Sequence, residues 1–313
     1  MEYADEEELG RILRDEYFQE CLSLHIGGGS NLLFINDFNG IILHSQIKGI
    51  SVVEETDDSV LVRVGAAEKW DDVVAYAVAE GWGGIENLSL IPGEAGAAAI
   101  QNIGAYGVEI KDVIETVEAY NQLTFEKRTF TNEECRYGYR NSYFKNEQND
   151  PYIVTYIYIR LNKKPRFAIE YGNLKEELAQ YPEVTLQAVR DAVIAIRRRK
   201  LPDPDELGNA GSFFMNPVIP VIHYEKLKEQ YPAIPSYPAG EGKVKVPAGW
   251  LIEQCGFKGQ SHGAVGVYEK QALVLVNLGE AQGHEIALVA ESIRTAVHDR
   301  FGIEITPEVK YIG

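Results

Sequence analysis

The sequence predicts an α+β protein built from three segments, on three observations. Short β-rich runs recur from Gly40 to Gly65 and again from Val113 to Leu161. The stretch Pro202–Gly211 collects proline, glycine and acidic residues and is the best domain boundary. Beyond it lies a compact α/β segment, whose tail, Ile303–Ile312, reads as a strand returning to an earlier sheet.

A chain of 313 residues exceeds one ordinary core. Its 45% hydrophobic and 25% charged residues are those of a soluble globular protein. No apolar run approaches the roughly 20 residues of a membrane span. The acidic start, Met1 to Glu8, does not read as a secretory signal. Cys21, Cys135 and Cys255 lie too far apart for a disulfide framework or a zinc spacing. A reducing, cytoplasmic compartment and no metal site are therefore expected. The net charge of −17 argues against nucleic acid, because phosphate neutralisation needs a basic face. Anionic small molecules remain open where local positive charge overrides the global field. Arg197-Arg198-Arg199-Lys200 is such a cluster, or else the solvated end of a helix.

Taken in order, Asp5–Glu20 reads as a helix with Leu9, Ile12, Leu13 and Tyr17 on one face. Cys21–Ile26 is a strand running into Gly27-Gly28-Gly29-Ser30-Asn31, and Leu32–Ile35 is another strand. A dinucleotide fingerprint would need a helix after those glycines, and a P-loop would need Gly-Lys-Ser/Thr. Neither is present, so this loop would bind phosphate through backbone N–H groups between two strands. Strands follow at Ile41–His44, Ile47–Val53 and Val60–Val64, then a helix over Trp70–Glu80. Val113–Tyr120 and Leu123–Phe130 read as a hairpin and Tyr152–Leu161 as a strand. Glu183–Leu201 is the clearest helix, ended by Pro202. In the last segment Ile222–Tyr231, Ala248–Cys255 and His284–Phe301 read as helices and Ala272–Val276 as a strand.

Between Ile91 and Gly107 the chain carries almost nothing bulky before Ile100, so its backbone can lie flush against a partner. Glycines at 93, 96, 104 and 107 would permit φ > 0 turns that aim N–H groups at one point. The stretch is either a close crossing of elements or a cofactor cradle, and the earlier glycine loop favours the cradle.

Four further patches could carry chemistry. Tyr137-Gly138-Tyr139-Arg140-Asn141-Ser142 suits bidentate binding of a carboxylate, or equally an arginine pinned to backbone carbonyls. Gly208–Pro217 sets Ser212 on a glycine-flanked turn without a nucleophile elbow, which makes an acyl nucleophile improbable. Thr306-Pro307-Glu308-Val309-Lys310 carries a carboxylate on the last strand, otherwise a solvated edge position. The fourth is the basic run ending in Lys200-Leu201-Pro202. Scattered this widely, they would form a site where domains meet.

Together, Gly27–Asn31, Gln101-Asn102-Ile103-Gly104-Ala105-Tyr106-Gly107, Tyr139–Ser142, Lys200-Leu201-Pro202, Gly208–Phe214 and Pro307-Glu308-Val309 closely resemble the UDP-N-acetylenolpyruvoylglucosamine reductases, flavoenzymes of peptidoglycan precursor synthesis. The resemblance runs from about Ile26 to Gly313. Glu170-Tyr171-Gly172 resembles the tyrosine loop of the form with an inserted substrate-covering segment. The chain departs from the family in three places. A strand carrying Asn-Thr-Phe-Gly usually precedes the first helix, a proline usually stands where Ala99 does, and often an aspartate where Asn141 does.

What the resemblance implies is specific. The fold would be the FAD-binding type shared with vanillyl-alcohol oxidase, in two subdomains, plus a C-terminal α/β substrate-binding domain. Residues 1–48 would form the first subdomain, lacking its first strand. Residues 49–201, rejoined by 302–313, would form the second, and 202–301 the substrate domain. Non-covalent FAD would lie on Gly27, Gly28, Gly29, Ser30, Asn31 and Leu32 from one loop. From the other it would meet Pro92, Gly93, Gly96, Ala97, Gln101, Asn102, Gly104, Ala105 and Tyr106. Tyr171, Lys200, Asn216 and Gln271 would bind the UDP moiety. NADPH would reduce the flavin, which would reduce the enolpyruvyl double bond. Arg140 and Glu308 would face the substrate carboxyl and Ser212 would donate the proton, in a monomer with no nucleic-acid or membrane partner. Two other readings stay open on the residues alone. One is another flavoenzyme with the same FAD domain, such as an alcohol oxidase; those often carry a histidyl link, and only His25 lies beside the glycine loops. The other is a non-catalytic nucleotide-sugar binder.

Overall fold

A computed structural model describes residues 1–145 and 151–313. They divide into two compact units, Met1–Ser30 with Asn39–Arg197, and Asn31–Phe38 with Arg198–Gly313.

In the first unit a two-residue strand, β1 (Glu2–Tyr3), precedes α1 (Glu6–Arg14). The single helix expected to Glu20 is two, because α2 (Glu16–Glu20) starts afresh at Asp15. Asp15 is extended, φ −68° and ψ 126°, and its carboxylate accepts the Phe18 amide at 3.0 Å. A side chain that satisfies an N-terminal amide this way favours a new start over continuation. β2 (Ser23–Ile26) follows; β3 (Leu32–Phe34) belongs to the second unit; β4 (Ile41–Ser45) returns. The parallel sheet runs β1-β4-β2, with Tyr3, Leu9, Leu13 and Leu43 in one buried cluster.

The larger core of this unit lies on a five-stranded antiparallel sheet. β5 (Ile50–Glu55) and β6 (Ser59–Gly65) lead to α3 (Trp70–Ala79), whose Trp70 is wholly buried and donates its indole N–H to the Leu88 carbonyl at 3.0 Å. Next comes α4 (Ala95–Gln101), a buried helix within the stretch the sequence leaves as a close crossing or a cofactor cradle. A pair of two-residue strands, β7 (Gly104–Ala105) and β8 (Val108–Glu109), follows it. β9 (Ile114–Asn121), β10 (Lys127–Thr131) and β11 (Tyr152–Asn162) complete the sheet in the order β10-β9-β11-β6-β5. Along β9 burial alternates, as a half-buried strand requires. α5 (Leu174–Leu178) packs against α6 (Leu186–Lys200) through Leu174, Leu178, Val189 and Val193.

The second unit mixes three sheets with three helices. β12 (Asn209–Ser212), β13 (Val218–Pro220), α7 (Val221–Gln230), β14 (Tyr237–Pro238), β15 (Lys243–Lys245) and α8 (Ala248–Gln254) come first. β16 (Ser261–His262), β17 (Val265–Val267), β18 (Val274–Asn277), α9 (Gly283–Phe301) and β19 (Lys310–Ile312) follow. The sheet orders are β12-β18-β17-β16 and β13-β15-β14. α9 buries Ala290, Ile293, Val297 and Phe301 against that core and stops at Gly302, φ +63°. The tail strand spans three residues rather than ten. It pairs in parallel with β3, Lys310 opposite Leu32, and not with a strand from residues 49–201. Gly283 opens α9 directly on the Phe34 carbonyl, where any Cβ would collide with it, so β3 is held on both flanks.

Candidate functional site

The two glycine loops face each other in the first unit. The Ser30 hydroxyl donates to the Pro92 carbonyl at 3.3 Å, and a Cβ on Gly93 would stand 3.0 Å from that hydroxyl. A Cβ on Gly28 would stand 3.7 Å from the Gly93 Cα. Gly29 and Gly93 take φ +71° and +116°, so these positions do require glycine. Gly96 and Gly104 do not take positive φ, contrary to the expectation of four turning glycines, and are glycine for want of room instead. Gly96 lies inside α4, where a Cβ would meet the Ala66 Cβ at 2.8 Å; its smallness serves close packing. The first two amides of α4 donate to the Glu68 and Ala66 carbonyls at 2.9 and 3.0 Å. The Gln101 side-chain oxygen is buried with no hydrogen-bond partner. Two glycine loops in such close approach, with an orphaned polar atom at the end of the helix beside them, suit a bound extended cofactor.

α4 ends at Asn102, fully buried in the left-handed region, φ +45°. Its side-chain Nδ2 donates to the Gly138 carbonyl at 2.7 Å and its side-chain oxygen accepts the Lys111 amide at 3.2 Å. Asn102 thereby clips the Tyr137–Ser142 turn to the cradle, and its carbonyl remains for Arg140. Arg140, φ +53°, donates to the carbonyls of Asn102 at 3.3 Å and Gly104 at 2.6 Å. Gly104 is small for this reason: a Cβ there would come within 3.0 Å of Arg140 Nη1.

At the far end of the cradle Tyr106 and Gly107 take φ +48° and +84°, and a Cβ on Gly107 would meet the Tyr171 Cβ at 3.3 Å. The half-exposed Tyr171 therefore sits beside the Gln101–Gly107 motif. Asn87, buried, donates to the carbonyls of Tyr106 at 2.9 Å and Ala168 at 2.7 Å and so ties that loop down. Sequence reasoning missed it, since one asparagine in a single helical turn carries no pattern.

The basic run splits. Arg197 turns inward and donates its Nε–H to the Leu90 carbonyl at 3.2 Å; Arg198, Arg199 and Lys200 are exposed. Burial lowers the Arg197 pKa, against the opposing pull of Tyr106 and Asp71. Asp71 takes a two-pronged grip from Arg190 at 2.7 and 2.9 Å. Burial pushes the Asp71 carboxyl up, but the Arg190 and Leu90 hydrogen bonds outweigh it and the pKa falls.

The remaining predicted residues lie in the second unit. Asn209 accepts the Gly211 amide at 2.9 Å, and Gly211 turns at φ +67°. Ser212 is then exposed while Phe213 and Phe214 anchor the turn in the core. The Phe213 carbonyl accepts the Glu308 amide at 2.8 Å and Phe214 bridges to Pro307, which brings the serine and carboxylate segments side by side. Asn31, expected with the flavin loop, donates its side-chain amide to the Glu308 carbonyl at 3.1 Å, and Leu32 pairs with Lys310. Asn216 accepts the Ala248 amide at 2.9 Å. Gln271 accepts the Leu273 amide at 3.3 Å and reaches within 3.0 Å of where a Gly249 Cβ would be. Both thus converge on the start of α8. Lys200 is exposed. Among the described residues no group of three or more His, Cys, Asp or Glu could hold a metal ion, and no helix is long and apolar enough to cross a membrane.

Two family models match the chain. One is described as an FAD binding domain and covers residues 1–123. The other is described as the C-terminal domain of UDP-N-acetylenolpyruvoylglucosamine reductase and covers 203–312. The UDP-N-acetylenolpyruvoylglucosamine reductase of Porphyromonas gingivalis is 53% identical over 313 residues, covering 100% of this chain and 93% of that protein. The enzyme of that name from Bacteroides fragilis is 50% identical, with coverage of 100% and 93%. A crystal structure of UDP-N-acetylenolpyruvylglucosamine reductase from Thermus caldophilus is alike in fold, with a TM-score of 0.66 at 22% identity over 100% of this chain and 91% of that one.

Proposed function

The chain belongs to the UDP-N-acetylenolpyruvoylglucosamine reductase family, and from that premise we propose how its own residues carry the reaction. It is an FAD-dependent oxidoreductase of peptidoglycan precursor synthesis that reduces the enolpyruvyl group of UDP-N-acetylglucosamine enolpyruvate to the lactyl ether, with NADPH as co-substrate.

The first unit holds FAD, with Gly27–Ser30 and Pro92–Ala97 around the diphosphate and Gln101–Tyr106 along the ring; this rests on the facing glycines and the orphaned Gln101 oxygen. When bound, FAD supplies the hydride chemistry. Hydride addition at one alkene carbon builds enolate charge toward the substrate carboxylate. Arg140, held by the carbonyls of Asn102 and Gly104, stabilises that charge, and Glu308 positions the carboxyl group. Ser212 Oγ gives its proton to the other alkene carbon. Tyr171, Lys200, Asn216 and Gln271 bind the UDP portion, Lys200 as a point charge on phosphate. The enzyme acts as a cytoplasmic monomer.

The observation that carries the assignment is the Ser212 turn: two buried phenylalanines fix the backbone, leave the hydroxyl exposed, and hold the Glu308 amide on the adjoining carbonyl. Ser212→Ala removes the proton and little volume. NADPH should still bleach the flavin at the normal rate, while reoxidation by the enolpyruvyl substrate slows by about 10²–10⁴-fold. Stopped-flow absorbance of the two half-reactions separates the steps. Near-normal reoxidation would move the proton to Glu308 or a bound water.

A further inference from the structure

Glu94 opens α4 as its N-cap residue, yet its carboxylate accepts nothing from that helix. It turns instead to His44, with Oε1 2.9 Å from Nε2. The same carboxylate lies across the first glycine loop: a Cβ on Gly27 would stand 3.2 Å from Oε2, and one on Gly28 3.7 Å from Oε1. Its side chain is 13% exposed. A carboxylate thus stands in the seam between the two loops assigned to the FAD diphosphate, where two anions repel each other in a partly dehydrated space.

The other side of His44 indicates where a proton can enter. Nδ1 lies 3.1 Å from the Gln46 side-chain amide and 3.5 Å from Glu2 Oε1. The Gln46 amide is a donor, so in the neutral ring Nδ1 accepts and Nε2–H donates to Glu94. A second proton on Nδ1 would face Glu2. Other titratable groups pack around the couple. β1 brings the amino terminus and Tyr3, β2 brings His25, and the Lys69 backbone pairs with Glu94. Burial, reinforced by His44, lowers His25 to about 4, so that ring stays neutral. Burial likewise raises Tyr3 and keeps it a phenol.

We propose that His44 and Glu94 form a proton-carrying couple on the FAD seat, so that FAD binds with uptake of a proton. With one proton the couple is an ion pair of net charge zero; without it the seam carries one negative charge. An incoming diphosphate favours the first state, and by linkage its affinity falls as pH rises. The inference rests on the FAD assignment of the loops.

Calorimetric titration of flavin-stripped protein with FAD, in two buffers of different ionisation enthalpy, counts the proton directly. Uptake of a fraction of a proton, up to one, is expected. His44→Gln removes the ring that takes the proton and should abolish uptake, whereas Glu94→Gln should tighten FAD by roughly tenfold at the alkaline end. His44→Gln leaves the carboxylate uncompensated and should weaken FAD by roughly tenfold. The double variant should regain the affinity of Glu94→Gln, which the loss of a merely structural contact would not allow. Uptake that persists in His44→Gln, weaker binding by Glu94→Gln, or a double variant no better than His44→Gln each overturns the couple. FAD bound by the parent chain without any proton overturns it while leaving the loop assignment standing. A chain that binds no FAD at all overturns both.

Discussion

Arg140 is held where few residues settle, φ +53°, by bonds that its own backbone turn makes possible. Its sequence context suits a carboxylate clamp or an arginine pinned to carbonyls. The carbonyl bonds are present, and they fix the direction of the guanidinium. Gly104 is the residue on which this depends. Gly104→Ala would set a methyl 2.8 Å from Glu109 Cγ and 3.0 Å from Arg140 Nη1. The expected result is a folded protein less stable by about 1–3 kcal/mol. Its kcat should fall more than its KM rises, because a displaced guanidinium loses charge that develops only in the transition state. Steady-state kinetics beside a urea melt tests this; an unchanged kcat would detach the carbonyl anchors from catalysis. The sequence revealed the glycine but not its purpose, since a turning glycine and a clearing glycine are spelled alike.

Elements differed in how openly they announced themselves. α6 and α9 were legible because long amphipathic runs repeat their apolar residues at helical spacing. α4 was not, because Ala95 to Ala99 are all small and carry no contrast between faces. It is helical because a bulk-free helix alone fits against Ala66. Gly96→Ala, which intrinsic propensity would favour, should therefore destabilise by about 1–3 kcal/mol, since its methyl meets the Ala66 Cβ at 2.8 Å. Thermal melting decides between the two signs, and a stabilised variant would mean that α4 can shift. Strands of two or three residues such as β1, β14 and β19 were missed or misjudged in length for a different reason. Their extent is set by a partner elsewhere in the chain, which local pattern cannot contain.

Across the whole molecule the acidic balance was readable in the chain, and the units divide between Arg197 and Arg198, a few residues before the Pro202–Gly211 stretch. The pairing of Asn31 with Glu308 was not readable, because it joins residues far apart in sequence. One global property follows from the His25 ring, which is partly buried. His25 titrates at about 4 when folded, below its ordinary 6.5. Below 6.5 the unfolded chain takes up a proton that the folded chain refuses until about 4. Stability should therefore be fully present above that window and fall through it, by on the order of 3 kcal/mol at its lower end. Urea melts across the window measure the slope. His25→Gln, which leaves the Tyr3 hydroxyl a polar neighbour, should flatten it; an unaltered slope would assign the loss to other groups.

The parallel pair β3–β19 has a consequence in time. Leu32 leaves the synthetic machinery long before Lys310, its partner, exists. At about 5–20 residues per second the wait is roughly 15–55 s. For that interval the nascent chain carries an apolar strand already excluded from the unit that surrounds it in sequence, with Gly283 and the tail still to be made. The first unit can condense around this omission, whereas the second closes only when its earliest-made piece is finally met.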